Sequence, residues 1–310
     1  MLTRRLLLQG LIATGGLVSA VGSGAAILPD RQAPPMGIQL YTVLSLLEEN
    51  FSQTLARLAA IGYREVETMG SFGRDPREVR DLLDKNDLRS ASQHVAPLDF
   101  YGHFRDLVLG RTKYEDFLRV AVAQTATDQV ERVIEKSIPS AKALGQQYIV
   151  WPMVWPHQTA SRTEMDLLCR AFNKAGAMCK REGLTFAFHN HDDEFRPRQD
   201  FVPYDVIVEN TDPDTVKLEL DLFWITKAGG DPKQYLAEYK DRFRLAHLKD
   251  RSKDGVSTSL GSGVLDIKSF IQDGRSAGID HFYFEGDNLP NSMAAALASY
   301  GYLNDIMFRR

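Results

Sequence analysis

From Met36 to the C-terminus the chain repeats one pattern, a short apolar stretch followed by a helical one. MGIQLY, YREVE, SASQHV, QYIVW, LTFAFHN, VKLELD, RLAHL and HFYFE are eight strand candidates. Four helical stretches close on glycine just before a strand, in AAIGYREVE, KALGQQYIV, KREGLTFAF and RSAGIDHFYF. Glycine there takes the left-handed conformation that ends a helix and releases the chain. Eight such units in about 275 residues predict an α/β fold, a single-domain (β/α)8 TIM barrel over 29–310 with its site at the C-terminal strand ends. An open doubly wound sheet is the alternative, but no glycine-rich phosphate loop follows the first strand.

A chain of 310 residues with 44% hydrophobic and 25% charged content suits one large barrel. Net charge is -4 and no dense Lys/Arg tract occurs, which argues against a nucleic-acid partner. A small, neutral or mildly acidic substrate fits better. Cys169 and Cys179 stand ten apart in one helical stretch, about 15 Å of rise, and are expected as buried thiols rather than a bridge. Residues 1–28 carry Arg4 and Arg5 before a Gly- and Ala-diluted apolar run, the pattern of a twin-arginine signal. It implies the twin-arginine export machinery as a partner and a periplasmic location, with an uncleaved anchor as the alternative. The connection from about 96 to 125 is far longer than the others and aromatic-rich, and predicts a flap with a short helix of its own. Its aromatics either close over a ligand or pack the loop onto the rim. Pro139 is expected to kink or split the helix that follows.

The strand ends carry the chemistry. Alternation puts Ala187, His189 and His191 on one face of LTFAFHNHDDEF, and Lys217, Glu219 and Asp221 on one face of VKLELD. His247 and Lys249 share a phase with Leu245, Glu285 shares one with Tyr283, Glu67 closes YREVE, and His94 closes SASQHV. His189 alone would read equally well as a hydrogen-bonded core histidine. Carboxylates and imidazoles ending consecutive strands form a mixed N/O donor set that suits one divalent metal ion, Mn²⁺ foremost, with Mg²⁺, Co²⁺ or Zn²⁺ as alternatives.

HNHDDEF, ELDLFWITKAGGDP, AHLKD, GSGVLD and FYFEGD resemble, in that order, the sugar phosphate isomerase/epimerase family with the xylose-isomerase-like barrel, which also includes endonuclease IV. The resemblance implies one divalent metal held by Glu, Asp, His and Glu from strands five to eight, and a carbohydrate substrate. Carried onto this chain, three positions are Asp221, His247 and Glu285. The fourth departs from the pattern, because the strand-five glutamate falls on His189. A histidine there can still ligate, with Glu194 as a rival, but it removes one of the two carboxylate bases of a ketose epimerase. The resemblance also implies that His191 corresponds to the histidine base of related dehydratases.

These residues suit proton abstraction beside a carbonyl of a keto-sugar or keto-glycoside, leading to isomerisation or elimination. The base is His191 or Glu67, worth about 3 to 5 kcal/mol, and Lys249 stabilises the oxyanion or else pairs with an acid such as Asp250. His94, Trp151, Glu194 and Trp224 are substrate-binding candidates, with rim packing the alternative for the tryptophans. A ketose 3-epimerase and a non-catalytic periplasmic sugar-binding barrel remain as alternatives, and a homo-oligomer is compatible with either. Phosphodiester cleavage as in endonuclease IV is disfavoured. Trp224 stands where that site needs a histidine, and RSKDGVSTSLGSG lacks its Asp-x-His pair.

Overall fold

The computed structural model describes residues 36–95 and 98–308; the expected export signal lies outside the described residues. The eight expected strands form: β1 (Gly37–Gln39), β2 (Glu65–Met69), β3 (Arg89–His94), β4 (Tyr148–Trp151), β5 (Thr185–His189), β6 (Val216–Asp221), β7 (Phe243–Leu248) and β8 (His281–Phe284). They close into one parallel barrel in which β1 pairs with both β2 and β8. Gly62, Gly145, Gly183 and Gly278, the four junction glycines, all have positive φ, so each helix ends where the sequence places its stop.

Alternation along the strands makes two separate apolar regions. Outward residues such as Phe186 and Phe188 pack on Phe172 of the helix Arg162–Arg181, with ring centroids 5.2 and 5.3 Å apart. Inward residues Tyr148, Val150, Ala187, Leu245 and Tyr283 form a small cluster inside the barrel. That cluster plugs the lumen, so polar residues nearer the C-terminal strand ends face only the mouth.

The long connection holds two helices, Leu98–Val108 and Tyr114–Gln124, rather than one. The second forms because Phe117 and Ala121 share a buried face against Phe104, Leu107 and Trp155. Tyr101 Oη donates to Glu48 Oε1 at 2.6 Å, and the Phe104 ring lies 5.5 Å from Tyr41. These aromatics pack the segment onto the rim. Pro139 does not split its helix, which runs from Val130 to Leu144. Cys169 and Cys179 are free and buried on one helix, and burial pushes both thiols up to about 12. No helix among the described residues is long and apolar enough to cross a membrane.

The helix Arg162–Arg181 approaches the backbone before β6 at Gly176, where an added Cβ would stand 2.6 Å from the Thr215 carbonyl oxygen. Gly176→Ala is therefore expected to cost about 1 to 3 kcal/mol, since backbone, unlike a flexible side chain, has nowhere to move. Urea unfolding measures it, and a variant as stable as the parent would show that this contact has slack.

Candidate active site

Two polar groups stand in succession inside the barrel, two residues apart along the strands that supply both. The deeper group holds Glu67, His94, His189, Glu219 and His247, all buried. Glu219 Oε2 lies 2.8 Å from His94 Nε2, 3.0 Å from His189 Nδ1 and 3.5 Å from His247 Nε2. Glu67 Oε2 lies 2.6 Å from His247 Nε2 and 3.3 Å from His94 Nε2, and accepts from Gln39 Nε2 at 2.8 Å. The rings of His94 and His247 stack with centroids 5.2 Å apart.

Charge in this dry volume is shared unequally. Burial works to lower the His94 imidazole, but the Glu67 and Glu219 carboxylates outweigh it and carry it up to about 9. Burial, aided by the nearby Glu67 charge, lifts Glu219 to about 7. Burial opposes ionisation of Glu67 as well, yet His94 and His247 hold it below the usual carboxylate range. His189 is kept neutral by burial and by the charges on His247 and His94.

The group at the mouth is organised by Lys249. Its Nζ lies 2.7 Å from Glu285 Oε2, 3.0 Å from Asp287 Oδ2 and 3.3 Å from Asp221 Oδ2. Burial favours the neutral amine, but these three carboxylates hold Lys249 charged. Asp221 does a second task, because its Oδ1 accepts from the N–H groups of Phe223 and Trp224 and so caps the helix Leu222–Lys227. Burial lifts the Asp221 carboxyl to about 6 against the pull of Lys249. His247 joins the two groups, since its Nδ1 lies 3.1 Å from Glu285 Oε2 while its Nε2 faces Glu67.

Asp250 is not the partner of Lys249. Its carboxylate accepts backbone N–H groups from Arg251, Gly261, Gly263 and Leu265, which gathers the GSGVLD stretch into a fixed loop.

His191 and Glu194 follow β5 at the mouth. The His191 ring lies 5.1 Å from that of His189 and 5.1 Å from that of Trp224, and its Nδ1 is buried with no hydrogen-bond partner. Burial, then the Lys249 charge, takes this imidazole down to about 3. Glu194 Oε2 accepts the His191 backbone N–H at 3.2 Å while its Oε1 is buried without a partner, and burial pushes its carboxyl up to about 8. Lys249 Nζ lies 5.1 Å from the Trp224 ring centroid, so His191 and Lys249 border one indole. Trp151 does not reach this region. Alternation sends it outward with Ile149, against Phe172.

Of the expected donors, Asp221, His247 and Glu285 bring ligand atoms together, whereas His189 joins His94, Glu219 and His247. The implied set of four is thus divided over two groups that share His247. Glu219, Gln39 and Asp287 were not singled out by the sequence. Phase alone points Glu219 into the lumen, and nothing local marks the other two.

Residues 55–299 match the family described as the xylose isomerase-like TIM barrel. The chain is similar to the inosose dehydratase of Lacticaseibacillus casei, 23% identical over 287 residues that cover 84% of this chain and 91% of that one. Against the inosose dehydratase of Salmonella typhimurium the identity is 26% over 247 residues, 72% and 76% of the two chains. In fold it is similar to a sugar phosphate isomerase/epimerase from Parabacteroides distasonis, with a TM-score of 0.72, 22% identity and coverage of 93% and 100%. The family match spans most of the chain and accords with the closed barrel and its inward-facing donors: the protein belongs to the xylose isomerase-like TIM barrel family.

Proposed function

We propose that the protein is an enzyme of the sugar isomerase/epimerase/lyase type that removes a proton beside the carbonyl of a non-phosphorylated keto-sugar or keto-glycoside and completes an isomerisation or elimination. The observation that carries this reading is the pairing at the mouth of a neutral, unpartnered imidazole, His191, with a buried ammonium, Lys249, beside the same indole. His191 Nδ1 has no hydrogen-bond partner and is available to take the proton. Lys249 can receive the negative charge that develops on the carbonyl oxygen, in a site where water does not screen it. Glu194 keeps its proton at neutral pH and has Oε1 unengaged, so it is suited to protonate a departing oxygen. Glu67 is the weaker candidate base, because its Oε2 is already engaged by His247 Nε2 and Gln39 Nε2. A divalent cation, if bound, would add polarisation of the carbonyl worth several kcal/mol. The relatives named inosose dehydratase support elimination as the reaction type.

Turnover in deuterated water on free ketoses and on keto-glycosides tests this. The expected outcome is loss of water or aglycone, or isomerisation, with His191→Ala slowing it by about 10²- to 10⁴-fold. Deuterium entering a recovered ketose at an epimerised carbon, with no elimination from any glycoside, would restore the 3-epimerase.

Glu194 gives a separate readout. Unfolded, its carboxyl loses its proton near 4.5, whereas folded it keeps it to about 8. Its contribution to stability is therefore present below pH 4.5 and lost as pH rises through 8. Glu194→Gln removes that loss, so the variant should match the parent near pH 4 and exceed it near pH 9, by at most ~5 kcal/mol. An equal gap at both pH values would show that this carboxyl titrates normally.

We also propose export by the twin-arginine route, on the motif around Arg4 and Arg5. Replacing both with lysine should leave the folded protein in the cytoplasm, and unchanged export would exclude that route.

A further inference from the structure

Between the long connection and the turn after β5 runs a line of buried polar side chains that no step of the proposed reaction uses. Thr125, Gln158 and Thr159 are 2, 1 and 0% exposed, although these residue types usually face water. Thr125 follows the helix Tyr114–Gln124, and its Oγ1 accepts from Trp155 Nε1 at 2.6 Å. Gln158 Nε2 donates to Thr125 O at 3.2 Å and to Thr127 Oγ1 at 3.0 Å, while Gln158 Oε1 accepts the Trp155 backbone N–H at 2.8 Å. The Trp155 ring packs on Phe117 and Ala121 of the helix itself. The loop after β4 is thus fastened to the second helix of the long connection.

Arg198 fastens that loop to the next one. Its Nε donates to Thr159 O at 3.1 Å, and its Nη2 donates to Thr159 Oγ1 at 2.8 Å and to Asp193 Oδ2 at 2.6 Å. Nη1 donates to Arg196 O at 3.2 Å. Only a planar fork reaches acceptors spread in this way, since a lysine offers a single nitrogen. Asp193 begins the single turn Asp193–Phe195, whose middle residue, Glu194, accepts the His191 backbone N–H. Arg196 differs, being 59% exposed and paired within its own loop to Asp192.

We propose that Arg198 is a positioning residue for the reaction at the mouth, joining the seating of the long connection to the placement of Glu194 and His191. This rests on the reading above that Glu194 and His191 act there. Arg198 acts through Asp193 and its turn, and contiguous hydrogen-bonded and packed groups of this kind carry coupling between separated segments. Such coupling is reciprocal, so a ligand that fixes the turn also fixes the connection.

Hydrogen exchange on the full-length protein, parent against Arg198→Ala, reads the link without substrate. Backbone protection should fall together in 191–195 and in 114–129 while the barrel strands keep theirs. Turnover of a keto-glycoside reads the consequence. Since a misplacement of ~1 Å costs up to ~10²-fold, kcat should fall by about 10- to 100-fold in Arg198→Ala with KM nearly unchanged. Arg198→Lys should fall likewise, and guanidinium ion at a non-denaturing concentration should restore part of kcat to Arg198→Ala alone. Loosening confined to 193–201, or an unchanged kcat, would overturn the assignment. Absence of turnover in the parent would instead overturn the proposed reaction, and exchange would still decide whether Arg198 joins the two segments. Asp193→Asn weakens the same link from its other end and decides should Arg198→Ala fail to fold.

Discussion

Everything at the open end of this barrel follows from the need to keep carboxylates ionised where water is scarce. Glu67, Glu219, Asp221 and Glu285 are all buried, and an isolated buried carboxylate costs several kcal/mol or neutralises itself. The chain meets this with one fixed ammonium and two charged imidazoles, His94 and His247. Lys249 holds the acids at the mouth, and His94 and His247 hold Glu67 ionised deeper in. Where compensation is incomplete, protons are held more tightly, as at Glu219, lifted to about 7, and Asp221, lifted to about 6. Interlocking makes removal of one member costly to its neighbours, because each pair shares a partner with the next.

The apolar plug below gives these charges their direction. Tyr148, Val150, Ala187, Leu245 and Tyr283 close the lumen, so the polar residues have one opening. Ser92 Oγ donates to Tyr283 Oη at 3.0 Å, which spares the plug an unsatisfied phenol. Field lines from Lys249 and the acids therefore leave through the mouth, where His191, Glu194 and Trp224 stand.

Much of this was legible in the sequence, for a simple reason: strand periodicity is local. Eight strands, the inward phase of His189, Asp221, His247, Lys249 and Glu285, and the junction glycines all follow from spacing. The same alternation puts Trp151 in step with Ile149, on the helix side, so its position could have been read too. What spacing does not carry is depth and partnership. Glu219 shares a phase with Asp221, yet only the barrel shows that it meets three imidazoles while Asp221 meets a lysine. Asp287, which completes the surroundings of Lys249, comes from a loop with no strand period to mark it. The second helix of the long connection depended on contacts with Phe104 and Trp155, and no single stretch displays those.

The four backbone N–H groups gathered by Asp250 bear on how a ligand is received. They tie down the loop from Arg251 to Leu265, and Ser257 Oγ within it accepts the Asp287 backbone N–H at 3.1 Å, next to the acid that steadies Lys249. That side of the entrance is held in shape before any ligand arrives. The entropy of arranging it is thus charged to the stability of the protein, and association there loses little freedom.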